Sequence, residues 1–202
     1  MEAVTISGRI RRLRVHQALR HGQRWFAACA TVLGIAACTP KAPSIAASGF
    51  TLPQVRGGSF RLRGRPGRPV LLAFLQTVPD IADSPSRSEV VSVISMATQY
   101  GARGLTVAVI DASELMNHTR PDHGALVNAS YDWQLNVPLL EDANGSVARH
   151  FGVVQLPTIV LVAPDGRIAR RWEGPTKPAE LALGIQNIVD GPVVPAAQRS
   201  LR

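Results

Sequence analysis

A chain of 202 residues with 46% hydrophobic and 18% charged residues can hold one packed domain plus a terminal segment, and this composition excludes a disordered or collagen-like polypeptide. The formal net charge of +8 points to a polyanionic partner only until its distribution is considered. Arg9, Arg11, Arg12, Arg14, Arg20 and Arg24 all precede an uncharged stretch, and without residues 1–37 the balance is 16 Lys+Arg against 13 Asp+Glu, so no nucleic-acid partner is expected.

The basic residues are followed by thirteen uncharged, mostly apolar positions, 25–37. This is the pattern of a secretory signal peptide, and it is too short to span a bilayer, which takes about twenty apolar residues. It ends Ile35-Ala36-Ala37-Cys38, which resembles a bacterial lipobox. The resemblance implies cleavage before Cys38 and a lipid on its sulfur. The mature protein would then be a membrane-anchored lipoprotein of the cell envelope, on the outer side of the cytoplasmic membrane or in the periplasm. Ordinary signal cleavage nearby, with Cys38 removed or left free, is the alternative. Residues 38–50, rich in Pro, Ala and Ser, read as a tether. Cys29 and Cys38 are the two cysteines of the chain, so residues 39–202 contain neither a thiol nor a disulfide, although disulfides persist in exported proteins.

Residues 60–63 (FRLR) alternate as a short strand before the turn-rich GRPGRP. The five arginines from Arg56 to Arg68 read as one solvated strand face and a surface turn rather than an anion site. Residues 70–75 form a continuous apolar run, the mark of a strand buried on both faces. Ser84-Pro85 supplies a helix cap and a first-turn proline, and Ser86-x-x-Glu89 suggests a capping box two residues later. Val90, Val91, Ile94 and Ala97 continue at helical spacing toward Tyr100-Gly101. A second buried strand covers 105–110 and closes on Asp111. The stretch 112–133 reads as a loop with a short helix near 122–130. A short strand at 137–140, a short helix at 145–151 and a third buried strand at 158–163 follow. Pro164-Asp165-Gly166-Arg167 is a hairpin turn into 168–172. Leu181, Leu183, Ile185, Ile188 and Val189 form a closing helix after Pro178, and the segment 190–202 reads as a flexible tail. This order describes parallel βαβ units capped by an antiparallel hairpin, an α/β domain over residues 51–189.

Four pieces of that domain resemble the thioredoxin-like superfamily, in particular its redoxin and alkyl hydroperoxide reductase-like members. They are Phe50-Thr51-Leu52 with Gly57-Gly58-Ser59-Phe60, VLLAFLQT, QYGARGLTVAVID, and FGVVQLPTIVLVAPDGRI. The resemblance implies a central mixed sheet flanked by helices. It also implies a cis proline at Pro157, opposite the active-site loop, with Gln155, Leu156, Pro157 and Thr158 forming a groove.

In that family the loop after the strand carries Cys-x-x-Cys or one peroxidatic cysteine, and the Sco-type copper carriers have Cys-Pro-Asp-x-Cys. Here Thr77, Val78, Pro79, Asp80 and Ala82 occupy the loop, with Val78 and Ala82 at the Sco-like cysteine positions; a Cys-x-x-Cys frame would instead fall on Pro79 and Ala82. Either way the loop holds no sulfur, which excludes thiolate attack on a disulfide or a peroxide from these positions. Thr77, Ser84 and Ser86 are hydroxyls without a neighbouring histidine to activate them, so no catalytic residue is assigned. His118 and His123, near Asp122 and Glu114, together with His150 make a poor soft-metal site, and no metal or cofactor is expected. Trp172 reads as core, whereas the stretch from Tyr131 to Gln134, with Trp133, is a candidate lining of the groove. The preferred expectation is an envelope-tethered, thiol-free redoxin-type domain that binds a protein or peptide segment beside Pro157. The alternatives are a thiol oxidoreductase or peroxidase using Cys38 or a partner thiol, and a Sco-like metal carrier.

Overall fold

A computed structural model of the chain describes residues 46–190 apart from Asp80 and Thr119. The signal segment, Cys38, the tether up to residue 45 and the tail beyond Asp190 lie outside the described residues. An antiparallel hairpin opens the domain, with β1 (Phe50–Pro53) and β2 (Ser59–Leu62) paired from Phe50↔Leu62 to Pro53↔Ser59. The sequence shows only its second strand, because the alternation of β1 lasts just from Phe50 to Leu52 before Pro53 ends it. The last residues of the expected tether also belong to the domain. Ala47 is buried and its N–H donates to Gly166 O at 2.8 Å, while Ala46 bridges to Arg167.

The main sheet is built around β3 (Val70–Leu75), every residue of which is buried. Strands β4 (Thr106–Asp111) and β5 (Leu139–Glu141) lie parallel on one side of it. On the other side lie β6 (Thr158–Val162), antiparallel to β3, and β7 (Ile168–Glu173), antiparallel to β6. The strand order is β5-β4-β3-β6-β7. Period-two alternation divides β3 between two cores. Leu71, Ala73 and Leu75 join the cluster formed with Val90, Val93 and Met96 of α1 (Pro85–Tyr100) and Leu181 and Ile185 of α5 (Pro178–Val189). Val70, Leu72 and Phe74 face the opposite cluster, where Leu52 and Leu62 of the hairpin meet Val147 and Phe151. Both faces of the sheet are therefore covered, which is why this run carries no polar residue.

Helix α1 starts where Ser84 predicts: its Oγ accepts from the Arg87 N–H at 3.1 Å and Pro85 occupies the first turn. The expected Ser86–Glu89 capping box does not form. With the cap already supplied by Ser84, Ser86 and Glu89 fall on the inward face of the helix. There Ser86 Oγ accepts from Gln76 N–H at 2.9 Å, and Glu89 Oε2 accepts from Thr176 N–H at 2.9 Å. Between β4 and β5 lie α2 (Ser113–Asn117), a single turn without periodic apolar residues, and α3 (His123–Asp132), capped by Asp122. A further short helix, α4 (Ser146–His150), precedes β6.

Arg56 departs from the solvated-face reading. Its guanidinium donates to Ser130 O, Ser130 Oγ and Leu135 O at 2.6–3.1 Å and lies 4.4 Å from the Tyr131 ring centroid, clamping the hairpin to the end of α3. Trp133 is a core residue rather than a groove lining, packed with the α1-side cluster. Trp172 is buried as expected and lies against Gly184 of α5.

Candidate functional site

The C-terminal end of β3 and the start of β6 lie side by side, with Phe74 paired to Thr158. Continuing that antiparallel register sets Pro157 level with Leu75 and Leu156 level with Gln76. The loop after β3 and the segment before β6 thus meet at one end of the sheet. The Leu156–Pro157 and Val78–Pro79 peptides are both cis.

The loop is held from below by a buried polar knot. Asp111, the last residue of β4, is 1% exposed, and its Oδ1 accepts from Thr77 Oγ1 at 2.5 Å and Ser113 Oγ at 2.5 Å. Ser113 Oγ in turn accepts from the N–H groups of Thr77 and Val78 at 3.1 and 3.0 Å, and Asn117 Nδ2 donates to Val78 O at 3.0 Å. Burial pushes the Asp111 carboxyl above the ordinary carboxylate range, and the Ser113 and Thr77 donors offset only part of that rise. The Thr77 hydroxyl is wholly buried and already donates its proton to a carboxylate, so it serves the loop's position rather than attack on a substrate. Val78 packs against the α1-side core, whereas Pro79, Ile81 and Ala82 are exposed; Asp80 lies outside the described residues.

On the β6 side, Val153 and Pro157 are buried while Val154 and Gln155 project to solvent and Leu156 is half-buried. Thr158 Oγ1 donates to Gln155 O at 2.8 Å, and Pro157 O accepts from Gly174 N–H at 2.8 Å. The N–H and C=O of Leu156 have no hydrogen-bond partner among the described residues. The turn after β7 continues from Gly174 to Thr176, whose N–H binds Glu89. Glu89 Oε1 is buried without a partner, and burial raises this carboxyl's pKa against the Thr176 hydrogen bond. Large apolar side chains are exposed on three segments that reach this end of the sheet: Val154 at 81%, Ile81 at 53% and Met116, next to Asn117, at 49%.

The histidines do not converge. His123 Nδ1 pairs with Glu141 Oε2 at 3.1 Å, beside Arg120 at 3.0 Å from the same carboxylate, and His150 stacks edge-on against Phe151. Burial raises the Glu141 pKa, but the His123 and Arg120 contacts outweigh it and hold the carboxyl below its usual range. Among the described residues no three His, Cys, Asp or Glu side chains group as metal ligands. Sequence reasoning missed Asp111, Ser113 and Asn117 as organisers of the loop. A carboxylate closing an all-apolar strand was the available signal for the first; the other two sit on a turn too short to show a pattern.

Residues 43–171 match the model of the AhpC/TSA family. Thiol-disulfide oxidoreductase ResA of Bacillus thuringiensis subsp. konkukian is 24% identical over 128 residues, which is 63% of this chain and 68% of that protein. Among solved structures, a thiol:disulfide interchange protein of the thioredoxin family from Chlorobium tepidum superposes with a TM-score of 0.60 at 18% identity, covering 74% of this chain and 99% of that one. A secreted Mycobacterium tuberculosis disulfide oxidoreductase homologous to E. coli DsbE superposes with a TM-score of 0.54 at 23% identity, covering 67% and 93%. With the family match spanning more than half of its length, the chain belongs to the AhpC/TSA family and has its thioredoxin-like fold.

Proposed function

We propose that the protein is a thiol-free redoxin-type domain of the cell envelope, anchored through Cys38, that holds an extended segment of a partner protein on the ledge from Val154 to Pro157. The observation that carries this reading is the unpaired backbone of Leu156 beside exposed Val154. A peptide laid antiparallel to that ledge gains main-chain hydrogen bonds and apolar contacts with Val154, Ile81 and Met116, and neither needs sulfur. The positions in the field of the α1 N-terminus, where a thiolate would be favoured, are Asp83, Ser84, Pro85 and Ser86. They supply a carboxylate and a buried hydroxyl but no thiol. A photo-crosslinking residue placed at Gln155 is expected to capture one defined envelope protein in intact cells, and Val154→Asp to abolish the adduct. Adducts no different from those of a probe at the opposite end of the sheet, at exposed Ala102, would sink the proposal.

The names of the relatives favour a second reading, a disulfide oxidoreductase whose thiol is Cys38. That thiol would have to attack a substrate disulfide and be resolved by a partner's thiol, since residues 39–202 supply none. Insulin reduction by the full chain with dithiothreitol, unchanged in Cys38→Ser, excludes it.

A further inference from the structure

Arg61, Arg63, Arg65 and Arg68 are exposed, and none of their side chains makes a hydrogen bond or ion pair among the described residues. In contrast, Arg56, Arg103, Arg120, Arg149, Arg167 and Arg170 are each held by a carbonyl or a carboxylate. The four unheld arginines cluster because of local structure. Burial alternates through the end of β2 and the residue after it, so Arg61 and Arg63 are exposed on either side of buried Leu62. The following turn brings Arg68 back, so that Arg61, Arg63 and Arg68 line one shallow groove of about 220 Å3 with Pro66 and Thr106. The turn is seated on the β6–β7 hairpin, through Gly67 N–H to Pro164 O at 2.9 Å and the close packing of Gly166 on Gly64. The carboxylate on that hairpin turn, Asp165, is taken by Arg167.

We infer that this end of the domain lies on an anionic phospholipid surface, with these arginines on headgroup phosphates. A guanidinium matches a phosphate with two parallel N–H donors, and each basic residue near such a surface strengthens binding about fivefold. The chain enters the domain at the same end, through Ala46 and Ala47 against Arg167 and Gly166. Cys38 stands eight residues before Ala46, so an anchor there would hold the point where the chain enters the domain on a tether of at most about 28 Å. A nucleic-acid partner is disfavoured: Phe60, the aromatic ring lining the groove, is half-buried against Phe50, 6.2 Å between ring centroids, rather than presented for bases to stack on. The six residues of β3 separate the patch from the Pro157 ledge, about 20 Å at strand rise. With the patch on lipid, the ledge faces the aqueous side.

The test uses the full chain with Cys38→Ser, so that lipid anchoring does not mask the domain. Its partition is measured below saturation onto phosphatidylcholine vesicles with and without 30% phosphatidylglycerol. A variant with Arg61, Arg63, Arg65 and Arg68 changed to Gln is expected to lose at least about fiftyfold of the phosphatidylglycerol-dependent partition, with an unchanged circular dichroism spectrum. Both forms keep the basic leader, so the difference belongs to the patch. A control with Arg103, Arg120, Arg149 and Arg170 changed to Gln is expected to lose less than about fivefold. Equal losses in the two variants, or no loss in the first, overturn the inference. So does binding to a single-stranded oligonucleotide that is tighter than to the vesicles and depends on the same four arginines.

Discussion

Thr77 and Asp111, 34 positions apart in sequence, share a hydroxyl-to-carboxylate hydrogen bond of 2.5 Å beneath the loop that leads to α1. Thr77→Val removes that donor without changing the side chain's shape and leaves a buried acceptor underpaired, at a cost of about 1–3 kcal/mol. The sign of its pH dependence follows from Asp111. Its folded pKa is raised, so the folded state binds a proton that the unfolded state has lost, and stability falls as pH rises from the ordinary carboxylate range through the folded value. Removing a donor raises the folded value further. The destabilisation in urea melts is therefore expected to be larger at pH 7 than at pH 4.

Glu89 gives a second, separable titration. Its Oε1 is buried and unpaired and its pKa is raised by burial. The wild type should thus lose a component of stability between the ordinary Glu range and the higher folded value, and Glu89→Gln should not. Subtracting the two melting curves from pH 4 to pH 8 should show the variant gaining relative to wild type as pH rises. A flat difference would mean that the carboxylate is solvated.

Gly184 tests the packing of α5 on the sheet. A Cβ at this position would lie 2.5 Å from Trp172 Cζ2 and 2.9 Å from its Cη2. Alanine is favoured over glycine in a helix by about 1 kcal/mol, whereas overpacking a core costs about 1–3 kcal/mol. The clash is expected to win because Trp172 is wedged within the sheet. Gly184→Ala should lower stability by about 1 kcal/mol and change the tryptophan fluorescence.

Arg56→Gln removes the clamp between the hairpin and the end of α3. The guanidinium is partly exposed, so the expected cost is only about 1 kcal/mol. Faster amide exchange at Leu135, whose N–H donates to Ser130 O at 3.1 Å, should be the more sensitive readout.

The buried strands were legible because apolar runs such as VLLAFL leave no other place for six consecutive hydrophobic residues, and the hairpin turn because Asp165-Gly166 requires the positive φ that Gly166 adopts. Ser86 and Glu89 were misread for a physical reason. Two overlapping serine frames offered a helix start, and only packing decides that the first caps while the second turns inward. Arg56 looked like its exposed neighbours because its partners, Ser130 and Leu135, are 74 and 79 residues away. The polar knot under the loop was hidden for the same reason. It joins β3, β4 and α2, and no local pattern announces a contact across three elements. Trp133 was placed in the groove on proximity to a strand, whereas the area of an indole favours full burial.

The lateral margins of the sheet have a consequence for how a neighbouring chain can join it. β5 is three residues long and its side is occupied by the backbone of Gln54 and Val55, through the Gln54–Leu140 bridge and Val55 N–H to Leu139 O. β7 carries Arg170 and Arg171, and edge charges of this kind discourage ribbon-like stacking of one molecule on the next. Molecules crowded at high local density would thus resist polymerising flank to flank, and a visiting polypeptide would be directed to the unpaired backbone beside Pro157.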